Sequence, residues 1–532
     1  MSDYDVVVIG GGPTGLATGN LATKAGKTAI VLEMNDRPGG LAQSCEEIPG
    51  FIHNRGAYYT MFDDAQAIMD MHGIDPSTIE MIWPDELGIS YGDPKLPPML
   101  NYRDPARTME HVGKYYGKEV LEDYMGYAQF MAPISAAMKI AMHNPPMSMA
   151  QIMDMMPSIE AKDALRKVFY GSIRDLVDEF IPYSEKSTVL RGLLFQNATG
   201  WFYGGPTDPG SVLAAAYLSG VTTDSIDLPL SVPKGGMNAL MEAAADVFVK
   251  RGGELRCNTK VKKLIVREGT AVGVELEDGT EITGDIVVTS LDPGNMFGNC
   301  CDPDDLDPNF LKRVKQIHFD DSICQFYIAL DRLPTLLDNF DMDLNKDARW
   351  FGQLVINDES LYEPNWYQVR HLHEVPDYLC CGGGAAFSTF DPTVAPEGKH
   401  TMTLCNNFTW PYTFPDMPDE KEVPAIKEKI KAAVIRSYGK VMPDFEECLH
   451  DIVIYTPYDY NKKYGVSGGN WTHGPLRITN MLNFRPMLGM SDYRGPLKNL
   501  YLCGSSNHPG PGVSSVSATN CWNAVKADQG WG

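Results

Sequence analysis

Three glycines, at positions 10, 12 and 15, stand in the run VVIGGGPTGLATG, and an acid, Glu33, closes the following VLE. That spacing suits phosphate chemistry. Gly10 permits a tight turn, Gly12 lets backbone approach a pyrophosphate, and Gly15 lets a helix lie close on a strand. A helix beginning near Pro13 would aim its free N–H groups and positive dipole end at the phosphates. Glu33 is spaced to accept hydrogen bonds from ribose hydroxyls. A dinucleotide is therefore expected, but this pattern alone does not choose between NAD and FAD. The next residues, NDRPGG, add Arg37 and the pair Gly39–Gly40, which permits a second close backbone approach such as an extended FAD would need. Gly56 and the pair Tyr58–Tyr59 follow.

Other residues invite chemistry less directly. HLHE at 371–374 would put His371 and His373 on one face of a strand, a possible metal pair, although no third ligand cluster accompanies it and structural or surface histidines are the plainer reading. No metal site is expected. Cys300–Cys301 and Cys380–Cys381 are adjacent pairs that read as packing rather than redox centres. CGSSNHPGPG, at 503–512, is rigid and rich in exposed backbone where chain ends are usually polar and frayed. Met131, Met138, Met142, Met149, Met153 and Met156 fall on one helical face broken at NPP (144–146). They are either core or a deformable apolar wall for a greasy ligand.

The elements that must position these residues need a large framework. The 532 residues suggest about two to four domains, and 43% hydrophobic with 21% charged residues gives a globular balance with a sizeable core. Asp plus Glu outnumber Lys plus Arg by 69 to 45, a formal charge of −24, and such a field repels phosphate backbones, so no nucleic-acid partner is expected. The first ten residues carry no secretory pattern, and no run reaches the roughly twenty apolar residues of a membrane helix. A cytoplasmic protein, with peripheral membrane contact left open, is the expectation. The lysines and arginines between Lys250 and Lys263 read as a solvated face.

Six blocks in order show that the chain resembles the phytoene desaturase-like flavoproteins, a superfamily that includes carotenoid desaturases, retinol saturases and the pyridine nucleotide-disulfide oxidoreductase domain-containing branch. The blocks are VVIGGGPTGLATG, LEMNDRPGG, GPTDPGS (205–211), VPKGGMNAL (232–240), the stretch 258–293, and NLYLCGSSNHPGPGVSSVSATNC (499–521). Leu41 stands where relatives commonly have Arg, and Asn54 where they often have Asp. The resemblance implies an α/β fold: a Rossmann-type FAD-binding domain of the GR2-like flavoprotein kind, with an inserted mixed α+β substrate domain. The flavin domain would be discontinuous (1–75, 229–292 and 480–532), with 76–228 and 293–479 forming the substrate or cap domain.

The resemblance also assigns roles. The C-terminal block would return to the N-terminal sheet as a strand ending at Gly504 and close the flavin site. Gly510 and Gly512 would keep side chains off the isoalloxazine, and a helix starting near Val513 would stabilise charge on the reduced ring. Val261 would present backbone to the adenine side. His508 would act as acid or base near the ring or serve as a structural histidine; Tyr58 and Tyr59 would form an aromatic wall or supply a proton. His473 and Arg485 fall at family-type positions without a specified role. The implied activity is FAD-dependent dehydrogenation of a small apolar terpenoid, polyene or alicyclic compound, with electrons passing to a quinone, oxygen or another carrier. No second glycine fingerprint follows a strand, so a nicotinamide domain is not expected. A saturase, an amine-oxidase-like enzyme and a flavin-binding scaffold without turnover are the alternatives.

Overall fold

In a computed structural model the structure describes residues 2–60, 65–221, 231–320, 323–346, 354–380 and 382–531. Cys381 and the expected segment boundary at 228/229 lie outside them.

The first strand, β1 (Tyr4–Ile9), is apolar on consecutive residues because both of its faces are covered. Val7 and Ile9 pack into one core layer with Met296 and Phe297, while Val6 and Val8 pack into another with Phe248 and Trp522. The chain turns at Gly10 into α1 (Pro13–Lys24) and returns as β2 (Ala29–Leu32), parallel to β1. The tight glycine junction follows from distance: a Cβ on Gly15 would fall 1.9 Å from the Gly10 carbonyl oxygen.

Later segments complete this sheet. β3 (Glu254–Arg256) adds beside β2, and a meander of β4 (Val261–Arg267), β5 (Thr270–Leu276) and β6 (Glu281–Thr289) runs to the other side of β1. Gly269 and Gly279 supply the positive φ that the two hairpin turns require. β6 is long enough to do two things: its first residues pair antiparallel with β5, and its last pair parallel with β1. On the free side of that last stretch lies β11 (Leu500–Leu502), in register Val288 to Tyr501. The chain then ends in the helix Val516–Gln529. That helix was expected near Val513. Val513 instead sits at φ 59° ahead of it, and Ser514 Oγ accepts a hydrogen bond from Val516 N–H at 3.0 Å. Serine side chains compete for backbone in this way and so mark helix starts.

A second sheet is antiparallel, in the order β8 (Gly382–Ala385), β9 (His400–Asn406), β7 (Cys324–Leu330), β10 (Leu449–Tyr455). Its two-residue period divides the side chains. Phe326, Ile328, Met402 and Leu404 pack with Ile430 and Val434 of the helix Val423–Gly439. Gln325, Tyr327 and Cys405 face the opposite way, toward the first sheet: Gln325 Nε2 donates to the Asn54 carbonyl at 2.7 Å and Tyr327 Oη to the Arg55 carbonyl at 2.9 Å. A helical layer flanks both sheets, with α2 (Lys118–His143), α3 (Thr188–Phe202) and α4 (Val212–Val221).

The methionine stripe belongs to this layer. Met131, Met138 and Met142 are buried among helices, and α2 stops at His143 before NPP, as its prolines dictate. Cys300 and Cys301 also pack in a core, where burial pushes their thiols up to about 11 and about 12. HLHE is not a strand: Gln368–Leu372 is one wide helical turn continuing Tyr362–Tyr367, and His373 leaves it at φ 54°. The two histidines therefore do not share a strand face. Among the described residues no helix is long and apolar enough to cross a membrane.

Gly15→Ala is expected to destabilise the fold by about 1–3 kcal/mol, the usual range for overpacking, because the helix must lift off β1. Thermal unfolding of the apoprotein measures it, and an unchanged melting temperature would contradict the close packing.

Candidate active site

Both sheets end on one cavity of about 310 Å³. On the first-sheet side it is lined by Gly10, Gly12, Glu33, Gly40 and Val261, and on the second-sheet side by Gln196, Gly382, Gly383, Cys405 and Asn407. Gly56, Tyr58, Gly512 and Val513 line it as well. Residues from both chain termini, the middle of the chain and the helical layer thus share one wall.

The first-sheet side fits a dinucleotide. α1 begins at Gly12 with no side-chain cap, nothing lies within 4 Å of a Cβ built on Gly12, and Pro13 and Thr14 face the cavity. The helix end is thus open to an anion, which its free N–H groups and dipole favour. Glu33 is buried beside it. Its Oε2 accepts from Gly11 N–H at 2.8 Å and its Oε1 from Asn35 N–H at 2.8 Å and Asn35 Nδ2 at 2.6 Å, so the carboxylate is rigidly held with a lone pair on Oε2 left for a ribose hydroxyl. Gly39 supports the loop from behind, donating to the Gly11 carbonyl at 2.7 Å. Gly40 runs so close to Gly12 that a Cβ would lie 3.2 Å from its Cα. Gly15 and Gly504 lie off the cavity wall and act through packing; a Cβ on Gly504 would meet the Ser290 carbonyl at 2.4 Å.

Arg37 is placed elsewhere. Its side chain is exposed, faces Glu242 at 3.6 Å and lies off the cavity wall. A long cation five residues past the end of β2 finds solvent and a surface carboxylate rather than the crowded glycine loop. Asn54 holds the loop that leads into the helix Asn238–Lys250, its Oδ1 accepting from Met237 N–H at 3.0 Å and from Ser44 Oγ at 2.9 Å.

Of the two roles open to His508, the structure fits the structural one. It lies off the cavity wall, fully buried, with Nε2 at 2.8 Å from the Ala141 carbonyl of α2. Burial pushes its pKa down to about 4. It joins the closing loop to the helical layer, and an acid–base role does not fit that position. The histidine on the wall is His473, and burial lowers its pKa too. Its loop is held by Arg485, whose guanidinium donates to the carbonyls of Thr472 (2.8 Å), Gly474 (3.1 Å), Asn480 (3.1 Å) and Ser505 (2.8 Å). Burial lowers Arg485 to about 10, so it stays charged at neutral pH. Arg485 is the clamp that sets the His473 loop against the closing loop. Tyr58 is buried on the wall with its ring edge-on to Tyr59 at 5.7 Å, and burial raises its hydroxyl well above the usual range. It is a neutral hydrogen-bond donor, not a base. Gln196, Cys405 and Asn407 were missed from sequence because an amide on a helix and a thiol on a strand carry no motif.

Glu33→Ala is expected to weaken FAD binding by about 1–3 kcal/mol through lost hydrogen bonds; titration of apoprotein followed by flavin fluorescence measures it, and equal affinity would contradict this placement. Histidine linkage gives a second expectation. Above its ordinary pKa of 6.5 His508 is neutral in both states; between 6.5 and 4 the unfolded chain takes up a proton that the folded chain refuses. Stability should therefore fall as pH drops through that window, by about 1.4 kcal/mol per pH unit per such group. Urea midpoints from pH 7 to pH 5 should show a shallower loss in His508→Gln, and an identical slope would refute the assignment.

Comparison with known proteins agrees with this geometry. Over 99% of its length the chain is 26% identical to pyridine nucleotide-disulfide oxidoreductase domain-containing protein 2 of Rattus norvegicus, covering 94% of that protein. It is 24% identical to a limonene dehydrogenase polypeptide of Castellaniella defragrans, across 99% of this chain and 95% of that one. A solved putrescine oxidase shares the fold with a TM-score of 0.60 at 14% identity, covering 99% and 98% of the two chains. Residues 13–514 match the flavin-containing amine oxidoreductases. With phytoene desaturases also among its relatives, this chain belongs to the flavin-containing amine oxidoreductase family and is an FAD-containing oxidoreductase.

Proposed function

We propose that the protein is an FAD-dependent dehydrogenase or desaturase that removes a hydride and a proton from C–H bonds of an apolar terpenoid, polyene or alicyclic compound, with electrons leaving to a quinone, oxygen or another carrier. The flavin, when bound, supplies the two-electron acceptor. The observation that carries the reading is the lining of the second-sheet side, where Leu218, Tyr58, Tyr59 and the bare backbone of Gly382–Gly383 face the cavity.

The charged residues on the wall already have protein partners. Glu33 is held by Gly11 and Asn35, Lys260 Nζ donates to Glu277 at 2.6 Å, and Asp292 accepts from Asn295 N–H at 2.9 Å and Ser467 N–H at 3.1 Å. A neutral ligand suits such a wall better than a charged one, since a buried charge needs its own counter-charge. His473, kept neutral by burial, is the proton acceptor in this proposal, with Arg485 positioning its loop. Tyr58 excludes water with its buried ring. Limonene dehydrogenase and phytoene desaturase, by their names, act on terpenoids, which supports the substrate class. We further propose the discontinuous flavin domain of residues 1–75, 229–292 and 480–532, since the strands of the first sheet come from these segments.

Stopped-flow absorbance under nitrogen tests the reading. Fast flavin bleaching by a terpenoid or alicyclic compound, with slow bleaching by NADH and NADPH, is the expected result. Rapid reduction by NADPH followed by reoxidation with an unsaturated compound would overturn the direction. Bleaching by amines, with peroxide on admitting air, would overturn the substrate class.

A further inference from the structure

The backbone around His473 takes a conformation that a residue with a side chain resists. In SGGNWTHG, residues 467–474, four residues have positive φ: Gly468 at 62°, Gly469 at 67°, His473 at 56° and Gly474 at 119°. Three are glycines, which enter that region freely. At two of them contact leaves no alternative: a Cβ on Gly468 would fall 2.3 Å from the Phe319 carbonyl oxygen, and one on Gly469 1.9 Å from that of Pro457. The fourth, His473, carries an imidazole, is half-buried and lines the cavity. Strain of this kind persists only where the surroundings over-determine it, and it gathers at functional positions.

Asn470 supplies the constraint. It is fully buried, and its Nδ2 donates to the Asp320 carbonyl at 2.6 Å, which turns Oδ1 toward the loop. Oδ1 accepts from Gly474 N–H at 2.9 Å, Thr472 N–H at 3.1 Å and Thr472 Oγ1 at 2.8 Å. The Asn470 carbonyl accepts from His473 N–H at 2.8 Å. Both peptide units flanking His473 thus have their N–H tied to Asn470, while Arg485 holds the carbonyls of Thr472 and Gly474. The torsions between those two units are the φ and ψ of His473. Asn470 itself does not line the cavity. Resting on the reading of His473 as the proton acceptor, we infer that Asn470 is a positioning residue of the reaction, holding His473 in the left-handed conformation that sets its imidazole on the cavity wall. The choice of an amide follows. A carboxylate could accept the same bonds but would add charge beside a ring that already faces Asp292 and Arg485, whereas an amide holds the loop and leaves the proton affinity of the ring alone.

The test uses the full-length, FAD-loaded protein and two readouts. The first is thermal unfolding. His473→Gly should melt above His473→Ala, the reverse of the usual order, because glycine alone takes a positive φ without strain. In an Asn470→Ala background that advantage should vanish, since position 473 is then free to relax. An advantage that survives there undiminished, or an Ala variant melting at or above the Gly variant in the native background, would overturn the inference. The second readout is anaerobic stopped-flow reduction of the flavin by limonene, or by whichever compound of the terpenoid and alicyclic panel bleaches it fastest. Asn470→Ala should slow reduction at saturating substrate by about tenfold to a hundredfold, the scale of a small misplacement, with the substrate Kd and FAD affinity unchanged. Asn470→Asp keeps the acceptor, so it should recover most of that rate and move the pH dependence of reduction to higher pH, since a nearby carboxylate favours the imidazolium. A wild-type rate in Asn470→Ala, or an unshifted pH profile in Asn470→Asp, would overturn the positioning role. His473→Gln reducing flavin at the wild-type rate would refute the reading of His473 itself, an outcome separable from failure of Asn470 because the unfolding comparison involves no chemistry.

Discussion

The pairing of β6 with β1 on one side and β11 on the other is the contact on which the site depends. Leu500–Leu502 has little on its own to hold it, being short and followed by a glycine- and proline-rich loop. Paired to Val287–Thr289, it becomes part of a sheet that also carries the glycine turn after β1. A parallel pair cannot be made by a local hairpin and needs a long crossover, and here the crossover carries the whole second sheet. The site is thus assembled only when both ends of the chain and the middle meander lie in register.

That arrangement makes the loops at the strand ends answerable to one another. Gly15 lies against Gly10, Gly39 is bonded to Gly11, and Gly504 lies against Ser290, so the backbones of four loops touch with no side chain between them. Arg485 extends the same logic outward by stapling four carbonyls from three loop segments. A guanidinium can do this because its donors fan out in a plane and it keeps its charge when buried. His508 and Tyr217 then tie the closing loop to the helices, through the Ala141 carbonyl at 2.8 Å and the Pro511 carbonyl at 2.9 Å. His508, for which the sequence left both a chemical and a structural role open, works as a strut, and the arginine without a specified role organises the loop on the wall.

The cavity joins two surfaces of different character. Its first-sheet side is backbone, a helix end and one fixed carboxylate, which suits a ligand of phosphates and sugar. Its second-sheet side is glycine, aromatic rings and a few neutral polar atoms. The antiparallel sheet accomplishes this by alternation, sending aliphatic residues of β7 and β9 to the helix Val423–Gly439 and Gln325, Tyr327 and Cys405 toward the first sheet.

The dinucleotide half was legible in the sequence because its determinants are local. Gly10, Gly12, Gly15 and Glu33 act within one strand–helix–strand unit, and their spacing is set by backbone geometry that any sequence must obey. Where Arg37 points was not legible because spacing does not place a flexible side chain, and the choice between the two roles open to His508 was not legible because proximity along a loop says nothing of which wall it faces. The helix start at Val516 rather than Val513 was decided by Ser514, a side chain competing for backbone. HLHE took a helical turn because it continues a helix whose packing the residues themselves do not announce. Gln196, Cys405 and Asn407 carry no pattern at all, since they come from elements far apart in the chain and meet only where α3, β8 and β9 converge. The sequence by itself determined the strand–turn–helix–strand unit and its phosphate-binding turn, because short-range sterics and hydrogen bonding specify both, while the flavoprotein fold was legible only through resemblance. Which neutral side chains face the flavin's partner was decided only by tertiary structure, because burial and pairing across long sequence separations are properties of the packed chain.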